Sequence, residues 1–272
     1  MKRIYILLLM SFVAFGATAQ NLTILHLNDT HSHIDPERSG KHDGKGGVIE
    51  QAAFVDSVRV ADGVKNVLLL HAGDFSQGSS YFKELHGDIE VDVLNVMQYD
   101  AVALGNHEFD NGMDELARRI RNLNVPVLCA NYDFAGSPLE GLTQPYVIVK
   151  RAGKKIGVIG LLTDVSTVVA REIADVMKFM SPVEVTNKYA AYLKNEKKCD
   201  LVICLSHLGY DRGADTDCEI APLLKNVDVI VGGHSHTRLN NYTAVKDLEG
   251  KDVIIVSDGS WGLEIGQLNV EF

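Results

Sequence analysis

Past its first twenty residues the sequence has no apolar run long enough to cross a bilayer as a helix, so no later spanning segment is expected. Basic residues are in deficit, with 26 Lys and Arg against 36 Asp and Glu and a net charge of −10. A chain this acidic lacks the general positive field with which proteins hold nucleic acid. Prolines number only six and no tract is compositionally biased, which excludes disordered and fibrous classes. Neither an internal repeat nor an interdomain linker is visible. Cysteine is scarce, and Cys129, Cys199, Cys204 and Cys218 show no C-x-x-C spacing. They could pair in three ways that the sequence does not rank. Cys129 and Cys204 lie inside apolar, strand-like runs and read as buried thiols.

What is present suits a folded protein. Of the 272 residues 46% are hydrophobic and 23% charged, enough for a sizeable core in one large domain. The beginning stands apart: Lys2 and Arg3 precede the apolar run Ile4 to Phe15, which gives way to Ala17-Thr18-Ala19. That order is the pattern of a secretory signal cleaved after Ala19. A signal peptide over 1–19 and a folded domain over 20–272 are therefore expected. The apolar run is shorter than the roughly 20 residues of a spanning helix, and no Cys near the cut supports a lipid anchor. The expected product is soluble and exported, periplasmic or extracellular, with a charge of −12 once Lys2 and Arg3 are removed.

From Leu22 the chain repeats a short β-rich apolar run, a polar or glycine turn and often a stretch of helical periodicity, the alternation of an α/β protein. Strands are predicted at Leu22–Leu27, Val67–His71, Ala101–Leu104, Val127–Ala130, Leu201–Leu205, Val229–Val231 and Val253–Val256. Helices are predicted at Val48–Val60, Ile89–Met97, Met113–Asn122 and Val183–Lys197, the last with Pro182 just ahead and Ser181 placed to cap it. Tyr146–Lys150 and Lys155–Gly160, separated by four turn residues, predict a β-hairpin, and the runs near Val253 and Leu263–Phe272 predict another. Such pairs argue against a purely parallel sheet. The glycine-rich polar stretch 39–47 predicts a mobile surface loop.

The chemistry-bearing residues lie just past the ends of the apolar runs. In open α/β sheets ligands bind there, where loops distant in sequence converge. Five run ends carry metal-type side chains: Asp29-Thr30-His31, Gly73-Asp74, Gly105-Asn106-His107-Glu108, Ser206-His207 and Gly232-Gly233-His234-Ser235-His236. In extended chain, residues two apart point the same way, so Asp29 and His31 can share an ion, and His234 and His236 can face one site. Adjacent residues diverge, which separates Asn106, an oxygen ligand, from His107, left for acid–base work. Glycines before Asp74, Asn106 and His234 permit sharp turns and close approach. A mixed nitrogen and oxygen set without thiolate suits Zn, Mn or Fe(II).

These blocks, in this order, resemble the binuclear metallophosphoesterases of the calcineurin-like superfamily, with D-x-H, G-D, G-N-H-E, H and G-H-x-H all present. Each block alone is weak; five in order are specific. The stretches Ile24–His31, Gly73–Gly78, Asn106–Gly112 and Gly233–Thr237 look like the 5′-nucleotidase and UDP-sugar hydrolase branch. The resemblance implies a four-layer α/β/β/α sandwich with two mixed β-sheets. It implies two divalent metal ions (Zn, Mn or Fe), with Asp29, His31 and His236 on the first, Asn106, His207 and His234 on the second, and Asp74 bridging. His107 would be the catalytic histidine, oriented by Asp110, with Asn106 and His107 also meeting the substrate. Two such ions, two aspartates and a bridging hydroxide leave a local charge of about +1, which attracts a phosphate dianion despite the acidic chain.

The reaction so implied is in-line attack of the bridging hydroxide on a nucleoside monophosphate or a related phosphate ester. A cyclic-nucleotide phosphodiesterase or thiosulfohydrolase-like hydrolase on the same fold, or a non-catalytic binding or adhesion subunit, are the alternatives. The last needs neither intact ligands nor a His107–Asp110 pair. Nucleotidases of this branch usually continue into a C-terminal domain that stacks the base between aromatic residues. The sequence stops at Phe272, so the catalytic half alone is expected, with nucleotide specificity supplied by a separate polypeptide.

The remaining histidines carry blander expectations. His26 and His71 sit in apolar runs and are read as core residues supporting the site. His33 is a candidate for the site rim, and His42 and His86, in polar loops, are expected to be solvated. Glu108 is expected to support loop geometry rather than bind metal. Trp261, Phe75, Tyr81 and Phe82 are read as packing residues that could also line a cleft.

Overall fold

The computed structural model describes residues 21–272. The expected signal peptide, with its cleavage point, lies outside the described residues. Strand β1 (Asn21–Leu27) leads through a long loop to helix α1 (Val48–Asp62) and β2 (Val67–His71). Helices α2 (Ser80–Leu85) and α3 (Asp88–Val96) return to β3 (Ala101–Ala103), and α4 (Met113–Asn122) returns to β4 (Val127–Leu128). Next come β5 (Tyr132–Asp133), β6 (Tyr146–Arg151), β7 (Lys154–Leu162), α5 (Arg171–Ala174) and β8 (Lys178–Phe179). Helix α6 (Pro182–Asn195) precedes β9 (Leu201–His207), and α7 (Asp217–Ile220) precedes β10 (Val229–Gly232). The last strands are β11 (Thr243–Lys246), β12 (Asp252–Val256) and β13 (Gly266–Glu271).

Among the described residues these strands build two mixed sheets and a two-stranded ribbon of β5 with β8. The first sheet runs β13-β1-β2-β3-β4, parallel from β1 to β4, with β13 antiparallel at its edge. The second runs β11-β12-β10-β9-β7-β6, with parallel β12, β10, β9 and β7 between antiparallel edges.

Side-chain alternation divides the strands between three cores. In β1 and β2, Leu22, Ile24, Leu68 and Leu70 pack against Ile156, Val158, Ile203 and Val231 of the second sheet. Their neighbours Leu25, Leu27 and Leu69 point the other way, toward Val55 of α1, Leu94 of α3 and Leu116 of α4. On the far side Val202, Cys204 and Ile230 meet Val185, Ala190 and Leu193 of α6. The central strands β1, β2, β9 and β10 are thus buried on both faces, which is why their residues read as continuous apolar runs. The edge strands β11 and β13 instead alternate between partly buried and exposed positions. Helix, sheet, sheet, helix is the four-layer α/β/β/α order, with each fully buried Leu worth about 1.5–3 kcal/mol.

Local signals hold at several places. Ser181 Oγ accepts the Glu184 N–H at 3.4 Å, with Pro182 as the first residue of α6. The β6–β7 hairpin closes through Ala152 and Gly153, with φ of 50° and 70°. That is a tight two-residue turn whose twist matches the strands, shorter than the four residues expected. The second predicted hairpin is not formed. Strand β12 pairs with β11 and β10, while β13 crosses to the first sheet and pairs with β1. The physical reason lies in residues 257–265, too long for a tight turn and anchored instead to β1's loop, where Asn28 Nδ2 donates to the Gly259 carbonyl at 2.6 Å. Stretch 39–47 is largely exposed and contains one turn of 3-10 helix, Gly40–His42. His42 is half-buried rather than solvated, with Nδ1 sealed from water; His86 is exposed. All four cysteines are free thiols, Cys129, Cys199 and Cys204 buried.

Candidate metal centre

The carboxyl ends of β1, β2 and β3 in one sheet and of β9 and β10 in the other bring all five sequence blocks to one place. Among the described residues, two groups could hold a metal ion: Asp29, His31 and His236, and Asp74, His207 and His234, each with donor atoms within 4.8 Å of one another. In the first group His31 Nε2 and His236 Nε2 face each other at 3.0 Å, and Asp29 Oδ1 lies 3.5 Å from His236 Nε2. Two imidazole nitrogens on a tetrahedral ion with bonds of about 2.0–2.1 Å stand about 3.3 Å apart, so this donor set fits a cation. Asp74 Oδ2 lies 3.1 Å from His207 Nε2 and 3.9 Å from His31 Nε2, facing both groups. Asn106 Oδ1 is 3.3 Å from His207 Nε2.

The route to this convergence differs from the extended-chain expectation. Asp29, His31, Asp74, His234 and His236 all have positive φ, between 48° and 72°. Non-glycine residues occupy that region at a cost, and such strain concentrates at functional sites. His234 and His236 do face one centre, yet their side chains join different groups. Close approach needs glycine at two positions in particular. A Cβ on Gly105 would overlap Asp74, and one on Gly233 would lie 2.7 Å from the Ala72 carbonyl.

Surrounding contacts aim the ring nitrogens. His207 Nδ1 pairs with the Ala72 carbonyl at 2.7 Å and His31 Nδ1 with the Ser76 carbonyl at 3.3 Å, turning both Nε2 atoms inward. Outside both groups, His107 Nδ1 meets Asp110 Oδ2 at 2.8 Å, and its ring centroid is 5.2 Å from that of His31. Asn106 is buried, while the His107 side chain keeps 35% of its surface exposed.

Electrostatics follow from burial. It pushes Asp29 up to about 7, with Asp74 adding to the effect and His207 opposing it. Burial holds His31 and His234 at about 4, and so neutral at ordinary pH. Burial works against charge on Asp74 and His207 too, but their mutual attraction outweighs it. Asp74 lies well below the usual carboxylate range and His207 is lifted to about 10. Hydrogen bonding to Asp110 raises His107 against a smaller opposing effect of burial.

The sequence profile of the calcineurin-like phosphoesterases matches residues 22–238, which contain every one of these side chains. The chain belongs to the calcineurin-like phosphoesterase family. A snake venom 5′-nucleotidase of Naja atra is 36% identical over 92% of this chain and 50% of that protein. A probable 5′-nucleotidase of Treponema pallidum is 35% identical over 92% of this chain and 45% of its own. The crystal structure of a 5′-nucleotidase precursor from Thermus thermophilus superposes with a TM-score of 0.84 at 36% identity, covering 93% of this chain and 51% of that one. This calcineurin-like phosphoesterase thus spans about half the length of the curated relatives it matches.

The family fold also explains residues that sequence reading passed over or placed only loosely. Glu108, fully buried, accepts the backbone N–H groups of Asp74 (2.9 Å), Ser76 (3.0 Å) and Gly105 (2.6 Å). It fastens the Asp74 loop to the Asn106–His107 loop. Asn28 donates to Asp29 Oδ2 at 2.6 Å, a role its place in Asn28-Asp29-Thr30-His31 could have suggested. Asp217, which no motif marked, accepts from Ser206 Oγ at 2.5 Å and packs its other oxygen onto Gly232, between the ends of β9 and β10. Buried Arg119 donates to Ser76 Oγ at 2.6 Å and to the Glu108 carbonyl at 2.5 Å. His26 and His71 are buried, as are Phe75 and Phe82. Tyr81 Oη donates to Asp35 Oδ2 at 3.1 Å. No helix among the described residues is long and apolar enough to cross a membrane.

Proposed function

We propose that the chain is an exported, metal-dependent phosphomonoesterase of the 5′-nucleotidase type, its folded domain (20–272) following a signal peptide (1–19). The two donor groups facing one another across Asp74, with His107 and Asp110 alongside, carry the reading. Asp29, His31 and His236 would hold one divalent ion, Asn106, His207 and His234 the other, and Asp74 both. When bound, such ions supply Lewis acidity at phosphate oxygens and acidify water.

The chain itself supplies proton and position. Asp110 accepts from His107 Nδ1 and favours the charged imidazole, so Nε2 carries the proton that the leaving oxygen needs. Asn106, held beside His207, would orient a phosphate oxygen. Relatives named 5′-nucleotidases support a nucleoside monophosphate as the substrate class. Support for export is the order of Lys2 and Arg3, an apolar run and Ala17-Thr18-Ala19.

The protein supplied with Mn or Zn is expected to hydrolyse AMP. His107→Ala is expected to retain its metal content while kcat falls by roughly 10²–10⁴. A loss of metal in that variant would make His107 a ligand. Failure of the metal-loaded parent on every phosphate ester would overturn the reading.

A further inference from the structure

Trp261 is the only tryptophan in the sequence, and its backbone is held at a φ of 64°. A bulky residue occupies that region only where its surroundings over-determine it. Here the Trp261 N–H donates to the Asp29 carbonyl at 2.7 Å, and Gln51 Nε2 donates to the next carbonyl, Gly262, at 3.2 Å. The indole stacks on His33 with ring centroids 4.9 Å apart and planes 11° from parallel. His33 is itself held by Glu37, Nδ1 to Oε1 at 2.6 Å. Both rings are therefore tied to the centre, His33 two residues beyond His31 and Trp261 through a bond to Asp29. The tryptophan nevertheless remains 37% exposed. An aromatic ring of this size gains most by burial, and the part of Trp261 left open, fixed by the stack and by the bond to Asp29, is surface that a planar ligand can cover.

We propose that Trp261, backed by His33, is the platform on which the planar aromatic part of the leaving group stacks, a nucleobase in the reading above. The substrate's identity rests on that reading; the stack itself does not. Stacking uses the π-face that every base has, so the platform favours nucleoside phosphates over alkyl phosphates without selecting one base.

The single tryptophan makes the test direct. Adenosine and AMP titrated into the metal-free full chain are expected to quench its fluorescence saturably, and ribose 5-phosphate is expected not to. In the metal-loaded enzyme, Trp261→Leu should lower the kcat/KM ratio of AMP to glycerol phosphate by about tenfold, through KM, with Trp261→Phe restoring most of it. No quenching by adenosine, or an equal loss on both substrates, would overturn the platform. Quenching by adenosine in a protein that hydrolyses no phosphate ester would support the platform while removing the phosphomonoesterase reading. The fluorescence measurement needs no variant and survives any folding defect at position 261.

Discussion

Burial sets the protonation of His31 and His234 before any ion arrives, whereas at His207 burial is outweighed by the neighbouring Asp74 carboxylate, which favours the charged ring. His31 and His234, held near 4, present lone pairs at neutral pH, as metal ligands must. The same desolvation acts just behind the centre, on His71, whose Nε2 meets Thr30 Oγ1 at 3.0 Å and whose pKa falls to about 3, with the nearby His207 adding to the effect of burial. A histidine with a folded pKa below its unfolded value of about 6.5 binds fewer protons folded than unfolded, so it destabilises the fold as pH drops through that range. Replacing it with Phe, beside Phe75 and Tyr99, should remove that cost. Relative to the parent in chelator, His71→Phe is expected to gain on the order of 3 kcal/mol of unfolding free energy between about pH 7 and about pH 4. Urea titrations at the two pH values measure it, and parallel losses in both proteins would contradict it. Asp74→Ala should deplete bound metal more than loss of any other single ligand, because one carboxylate faces both groups; metal analysis of the purified variants decides it.

Between elements, a few buried polar side chains hold loops that lack regular structure of their own. Glu108 satisfies three N–H groups that would otherwise be buried without partners, each costing about 1–3 kcal/mol. Glu108→Ala is expected to lose roughly 3 kcal/mol or more in denaturant unfolding and to weaken metal retention, whereas Glu108→Gln, which keeps one acceptor oxygen, should lose less. Equal stability of parent and Glu108→Ala would show that water replaces the carboxylate. The β6–β7 hairpin was legible because its turn is local, coded by Ala152-Gly153 between two apolar, strand-forming runs. The fate of β12 and β13 was not, since both have strand-forming sequences and it is the bonds of residues 258–262 to Asn28, Asp29 and Gln51, distant in sequence, that direct the chain to the other sheet.

Across the whole molecule the candidate centre straddles two sheets, so ligand atoms from β1, β2 and β3 must meet those from β9 and β10. Ions that bind only the folded state stabilise it by mass action, about 2.7 kcal/mol per site at a hundredfold excess over Kd. Chelation should therefore lower the Tm, and His236→Ala should retain part of the metal-dependent shift; identical melting with and without chelator would argue against occupied sites. Sheet spacing has its own control point. Gly160 of β7 packs on Leu128 of β4 so closely that a Cβ would overlap it. Gly160→Ala should cost about 1–3 kcal/mol by forcing the sheets apart, read as a lower Tm.

The sequence by itself determined the class of fold, most strand and helix positions and the set of chemistry-bearing residues, because apolar periodicity and short motifs are local properties of the chain. It located Asp29, His31, Asp74, Asn106, His107, His207, His234 and His236 at run ends without knowing how they meet. The family resemblance already grouped His236 with Asp29 and His31 and His234 with His207; only the tertiary structure decided the backbone path by which the donor atoms of each group come within 4.8 Å of one another. The reason is that five residues of the centre adopt left-handed backbone conformations that no local pattern predicts for Asp or His. Those conformations persist because two packed sheets fix the ends of every loop, and distances between loops exist only once the sheets have closed on each other.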